Sequence, residues 1–199
     1  MSKRAGFLFE KAFARDTIYE ATLGAAKDKK NRKDVRAVLN NIDTVVDNIY
    51  ELMWFSEYQP APYVHFKKYD AGKVRDISKP RFYPDQIIHW CIYLAIKPVL
   101  IPSFSKHIYS CIPGRGQVYG KKMIAEQLKH KGDTKWCLKF DIKKFYPSVN
   151  TTKLMLLLQT KIKDPKLLAV IQKILDLQPG LPIGILLSQI LGNFYLMRS

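Results

Sequence analysis

Three stretches of this chain hold residues whose types and spacing suit chemistry. The first is CLKFDIKKFYPS (137–148), where an apolar, strand-like run ends on Asp141, followed by two lysines and two adjacent aromatics. An oxygen ligand at a strand end suits Mg²⁺, which takes one or two carboxylates together with substrate phosphates and water. One carboxylate cannot hold a two-metal site for phosphoryl transfer, and the plainer reading is an aspartate opening a turn. The second is VHFKKYDAGKVRDISKP (64–80), a β-hairpin around Asp70-Ala71-Gly72-Lys73. A two-residue turn at Ala71-Gly72 sets Lys67 opposite Asp76, an ordinary ion pair, and Lys68 opposite Arg75. Facing cations are destabilising unless an anion lies between them. A phosphate chain fits, with Arg75 as its bidentate partner; the alternative is two long side chains splayed into water. The third is GLPIGILLSQILGNFYL (180–196). Gly180, Pro182 and Gly184 shape a stiff loop able to approach a ligand closely. Ser188, Gln189 and Asn193 are polar positions on an otherwise apolar helix, solvated or partnered.

The elements that must hold these residues alternate without a βαβ rhythm, which argues for an α+β fold. Val35, Val38, Leu39, Ile42, Val45, Val46, Ile49, Leu52 and Met53 recur at helix spacing, with Asp34 placed to cap the helix. Ahead of them KDKKNRK (27–33) reads as a solvated charged face, with phosphate contact as the second reading. A helix is expected from about Asp85 to Lys97, stopped by Pro98. PGRGQ (113–117) is a turn into a helix reaching about Lys129. PGRG could cradle a phosphate at that helix start, but it lacks the GxxxxGK[ST] pattern of a nucleotide P-loop. Thr134–Ile142 is expected as a strand, Thr151–Ile162 and Pro165–Leu175 as helices, and a last helix starts near Ile185. NFYLMRS stops inside a helical pattern with no cap, so the chain is expected to be part of a longer one.

Composition narrows the partners. Thirty-three Lys+Arg against seventeen Asp+Glu in 199 residues gives a net charge of +16, an excess that suits a polyanion, nucleic acid first. Cys91, Cys111 and Cys137 form neither a metal pair nor a disulfide framework, as expected of a reducing compartment. The basic start MSKRAGFLFEKAFAR is no secretory signal, its apolar run being broken at Glu10 and Lys11. IIHWCIYLAIKPVLIP (87–102) reads as too short and too polar to span a bilayer, so a soluble protein is expected.

Taken in this order, the stretches resemble a reverse transcriptase of the right-hand polymerase class over roughly residues 64–196. KFDIKKFYPSV resembles the family's motif A, which implies Asp141 and the Ile142 carbonyl as Mg²⁺ ligands and Tyr146 as the aromatic that excludes the ribose 2′-hydroxyl. Lys68 and Arg75 match the fingers residues that grip the incoming triphosphate. SKHIYSCIPGRG (105–116) resembles the family's second motif, which ends in PGR and implies template or primer contact at Arg115. Ile183 and Gly184 fall beside the nucleotide and Gln189 beside the template and primer. Where most members read QGxxxSP in motif B, this chain reads IGxxxSQ over Ile183 to Gln189. That variant is similar to the reverse transcriptases of diversity-generating retroelements. These copy a template RNA with frequent errors at adenines, work with a small basic accessory protein, and occur in bacteria and their phages. The resemblance implies residues 1–113 as N-terminal extension and fingers, 114–148 as palm, 149–183 as fingers and 184–199 as the start of a palm helix. Template RNA, a primer or cDNA, dNTPs and Mg²⁺ are the implied ligands, no membrane is implied, and the location is the bacterial cytoplasm. The family's aromatic-x-Asp-Asp motif and thumb are not in these 199 residues, so the chain is expected to be inactive alone. Group II intron and phage-defence reverse transcriptases, or a non-catalytic RNA-binding remnant, are the alternatives.

Overall fold

Apolar residues three and four apart build most of the chain into helices, and the sequence pattern misses the first two. The computed structural model describes residues 4–55, 58–70, 72–132 and 134–198; the turn residue Ala71 and residues 1–3 of the basic start lie outside them. Helices α1 (Leu8–Ala12) and α2 (Arg15–Ala26) bury Leu8, Phe9 and Ala12, then Ile18, Ala21 and Ala25. Small alanines make the α2 stripe faint in sequence. The single helix expected over 34–53 is two, α3 (Lys33–Leu39) and α4 (Ile42–Phe55). They part at Asn40-Asn41, where the Asn41 side-chain amide donates to the Ala37 carbonyl at 3.0 Å, the local competition with helical bonding that asparagine offers. Arg32, not Asp34, occupies the N-cap position, and the Arg32 guanidinium holds the Asp34 carboxylate instead.

Strands β1 (Val64–Asp70) and β2 (Lys73–Lys79) pair antiparallel in the expected register, with Lys67 opposite Asp76 and Lys68 opposite Arg75. The strand expected over 134–142 does not form. That segment is irregular, and Trp136, Leu138 and Phe140 stand 94%, 77% and 80% exposed. A strand needs a neighbour to take its N–H and C=O groups. Among the described residues β1 and β2 make a two-stranded sheet with each other alone, so the expected short palm sheet has no counterpart here.

Helix α5 (Ile87–Leu100) is the axis of the core, its Ile87, Ile88, Cys91, Ile92, Ile96 and Leu100 buried against α1, α2 and α10. It runs past Pro98 into a tight turn at Ile101–Ser103, the proline leaving the Leu94 carbonyl without its helical N–H donor. By length and composition Phe82–Ser103 suffices to cross a membrane, contrary to the sequence expectation, and half of its apolar window is buried inside the fold. Helix α6 (Gln117–Gln127) follows the PGRG turn, and the short α7 (Phe145–Ser148) follows Asp141. Asn150 caps α8 (Thr151–Gln159), three residues shorter than expected, through the Lys153 N–H. Asp164 caps α9 (Pro165–Leu175) through the Leu167 N–H, with proline at the first helical position, where its missing donor does no harm. Helix α10 (Leu186–Leu196) completes a helix-rich α+β fold.

Candidate functional site

Gly180 and Gly184 shape the centre of the site. Both carry left-handed backbone, at φ +71° and +103°, which glycine alone adopts without strain. A Cβ on Gly180 would stand 2.5 Å from the Pro147 carbonyl oxygen, so the loop rests directly on α7. The Leu181 N–H donates to the Tyr146 carbonyl at 2.8 Å and fixes that contact. Further along, the Ser78 N–H donates to the Ile183 carbonyl at 3.0 Å, and the Ser78 hydroxyl donates to Gln178 Oε1 at 2.8 Å. A Cβ on Gly184 would meet Ile77 Cγ2 at 2.8 Å. The loop from Gln178 to Gly184 thus bridges the base of the hairpin and α7.

Tyr146 is half-buried in that bridge. Its ring lies where a Cβ on Gly192 of α10 would be 3.3 Å away, and it stands edge-on to Phe145 with centroids 5.4 Å apart. Burial pushes its hydroxyl pKa up, with Cys111 adding in the same direction, so near neutral pH it is an uncharged donor. Lys68 and Arg75 face each other across the exposed part of the hairpin. Asp141 and Ile142 are exposed immediately upstream of α7. Among the described residues no three carboxylates, imidazoles or thiols converge as a metal would require.

Arg115 turns toward its own loop. Its Nη1 donates to the Ser105 carbonyl at 2.9 Å and its N–H to the Ile112 carbonyl at 3.0 Å, closing residues 105–115 on themselves. Asn193 Nδ2 donates to the Ser110 carbonyl at 2.9 Å and pins that loop to α10. Gln189 is half-buried on the same helix, beside the buried Ser188. The structure therefore joins the hairpin, Ile183–Gly184 and Tyr146 through one loop, and carries the Arg115 loop on α10. Among the described residues, Asp141 is tied to this assembly through the chain leading to Tyr146. The Ser78–Gln178 bond, which holds the bridge, spans 100 residues and has no signal in the sequence.

No protein-family model matches the chain. It is similar to the group II intron-encoded protein LtrA of Lactococcus lactis subsp. cremoris, 26% identical over 149 residues that cover 69% of this chain and 24% of that protein. It is also similar to an uncharacterized 91 kDa protein in the cob intron of Schizosaccharomyces pombe, 28% identical over 166 residues, 76% of this chain and 20% of that protein. The chain spans a fifth to a quarter of the length of these curated relatives. Its distant homologues, then, are intron-encoded proteins, one of them encoded in a group II intron.

Proposed function

We propose that this chain is the fingers and part of the palm of an RNA-directed DNA polymerase, the piece that grips the incoming nucleotide. The observation that carries the reading is the hairpin register, in which Lys68 directly faces Arg75. A planar guanidinium matches two oxygens of one phosphate group while an ammonium supplies a point charge, so the pair suits a triphosphate. The intron-encoded relatives support the same class. In this reading the Gln178–Gly184 loop sets a floor between hairpin and α7, and the Tyr146 ring blocks the ribose 2′ position.

Asp141 and the Ile142 carbonyl would hold Mg²⁺, whose chemistry is to neutralise charge on the transferred phosphoryl group. One exposed carboxylate fits the habit of Mg²⁺ to bind through one or two carboxylates plus phosphates. It does not make a two-metal centre, so further carboxylates must come from outside these residues for synthesis to occur.

Two subtypes compete, each with an observation behind it. IGxxxSQ over Ile183–Gln189 supports the diversity-generating type, error-prone at adenines, working in the bacterial cytoplasm with a basic accessory protein. The group II intron-encoded relative supports the intron type. Ile183 offers the nucleotide only apolar contact, with no directional bond to hold its pose, and fidelity depends on that positioning. Sequencing cDNA made from one RNA template decides. In the diversity-generating reading, Ile183→Gln in the natural full-length protein lowers misincorporation opposite template adenine by up to about tenfold, one hydrogen bond's worth, and changes the other three bases less. Equal error spectra would leave Ile183 a packing residue and favour the intron type.

A further inference from the structure

Gly192 lies buried in the interior of α10. Glycine weakens a helix interior relative to alanine, because it gives up more backbone freedom on folding, so its place there calls for a packing reason. The neighbouring rings supply one. A Cβ on Gly192 would stand 3.3 Å from Tyr146 Cε1 and 3.4 Å from Phe145 Cε1, with Leu181 Cδ1 next at 3.7 Å. Both ring contacts are shorter than the optimum of about 3.5–4.0 Å between carbons, and the leucine contact lies within it.

Phe145 and Tyr146 are adjacent in the single turn of α7, where successive side chains diverge by roughly 100°. Both nonetheless reach the same point on α10, because the missing side chain leaves a hollow that the two rings share. The backbone of α7 is fixed separately, by the Leu181 N–H on the Tyr146 carbonyl and by Gly180 against Pro147. Half-buried, the Tyr146 ring packs on α10 and Phe145 and keeps the rest of its surface toward solvent. Because packed interiors yield little, a group added beneath the ring moves it toward that open surface.

We propose that Gly192 determines sugar specificity, its missing side chain setting how far the Tyr146 ring stands from α10 and so how much room a nucleotide sugar finds beside it. The inference rests on the polymerase reading, in which that ring blocks the ribose 2′ position. Gly192 is a positioning residue in it, acting through Tyr146. A methyl at this site makes the ring give by a few tenths of an ångström, and the gap left for the sugar narrows accordingly.

The test is primer extension on an RNA template by the natural full-length protein. KM and kcat for dNTPs, 2′-fluoro-dNTPs and rNTPs are compared among wild type, Gly192→Ala, Tyr146→Val and the double variant. Gly192→Ala should raise the KM for dNTPs about three- to tenfold with kcat little changed, well below the roughly hundredfold cost of a displacement of about 1 Å. The rise should be larger for 2′-fluoro-dNTPs, whose sugar needs more room. In the Tyr146→Val background, where the ring is gone, the same substitution should change neither KM. The thermal midpoint of Gly192→Ala should not rise, although alanine is the better helix former, since the methyl meets two rings. Equal KM changes with and without the ring, no change in either, or a raised midpoint would overturn the role of Gly192 and leave the ring standing as sugar gate. Continued exclusion of rNTPs by Tyr146→Val would overturn the gate itself, and the inference with it.

Discussion

Gly180 holds φ at +71° with the Pro147 carbonyl oxygen where a Cβ would stand. Left-handed backbone strains an alanine by roughly 1–2 kcal/mol, and here the loop must also lift off α7. Gly180→Ala should therefore destabilise the chain by about 2 kcal/mol or more in urea unfolding. An unchanged midpoint would mean that the loop is not seated on α7. His89 supplies a second expectation, in pH. Its folded pKa of about 4 lies below the ordinary 6.5, so between those values the unfolded chain carries the extra proton. Stability from this group is complete above pH 6.5 and falls on acidification by about 1.4 kcal/mol per unit, levelling near pH 4. Asp85, raised by its burial, acts oppositely, its contribution growing as pH falls through its own folded range. Urea unfolding of wild type and His89→Phe from pH 4 to 7 separates the two. The variant should lose the acid-side fall, and identical slopes would mean that protonated His89 finds a partner in the fold. At this scale the sequence was readable for glycines, whose spacing marks a stiff loop. It was silent on His89, whose burial comes from its position on the inner side of α5.

At the scale of elements, the amphipathic α9 was legible, since apolar residues follow Pro165 at helix spacing. Neither task of Asp164 was, the first being to cap α9 through the Leu167 N–H. Its other oxygen accepts the Phe9 N–H at 2.8 Å, tying α1 to α9 across 155 residues. Asp164→Ala should cost roughly 2 kcal/mol, the upper range for a lost cap, because a buried backbone donor is orphaned as well. That is a fall in thermal midpoint of about 4–8 °C for a chain of this size, and Asp164→Asn should fall less. The hairpin register followed from its turn and its alternating residues, whereas the strand expected at 134–142 failed for a non-local reason. Its own pattern suits a sheet, but pairing belongs to two segments, and among the described residues no second segment meets it.

At the scale of the molecule, a core of helices around α5 carries a hairpin and a glycine-shaped loop under a net charge of +16. Arg75→Ala should raise the KM for dNTPs about ten- to a hundredfold in primer extension, the range of one hydrogen bond to a charged group, with RNA binding altered much less. The reverse pattern would move Arg75 to the template. The facing of Lys68 and Arg75 was legible from the hairpin's turn and spacing, while the bridge from Ser78 through Gln178 to Tyr146 depends on contacts that no local pattern encodes. The proposed chemistry needs Asp141, an exposed carboxylate whose loss should leave folding alone. Primer extension on an RNA template by the natural full-length protein tests it most directly. Asp141→Ala should lower Mg²⁺-dependent DNA synthesis by roughly a hundredfold or more at an unchanged thermal midpoint. Synthesis by the folded variant above about one per cent of wild type would contradict the assignment.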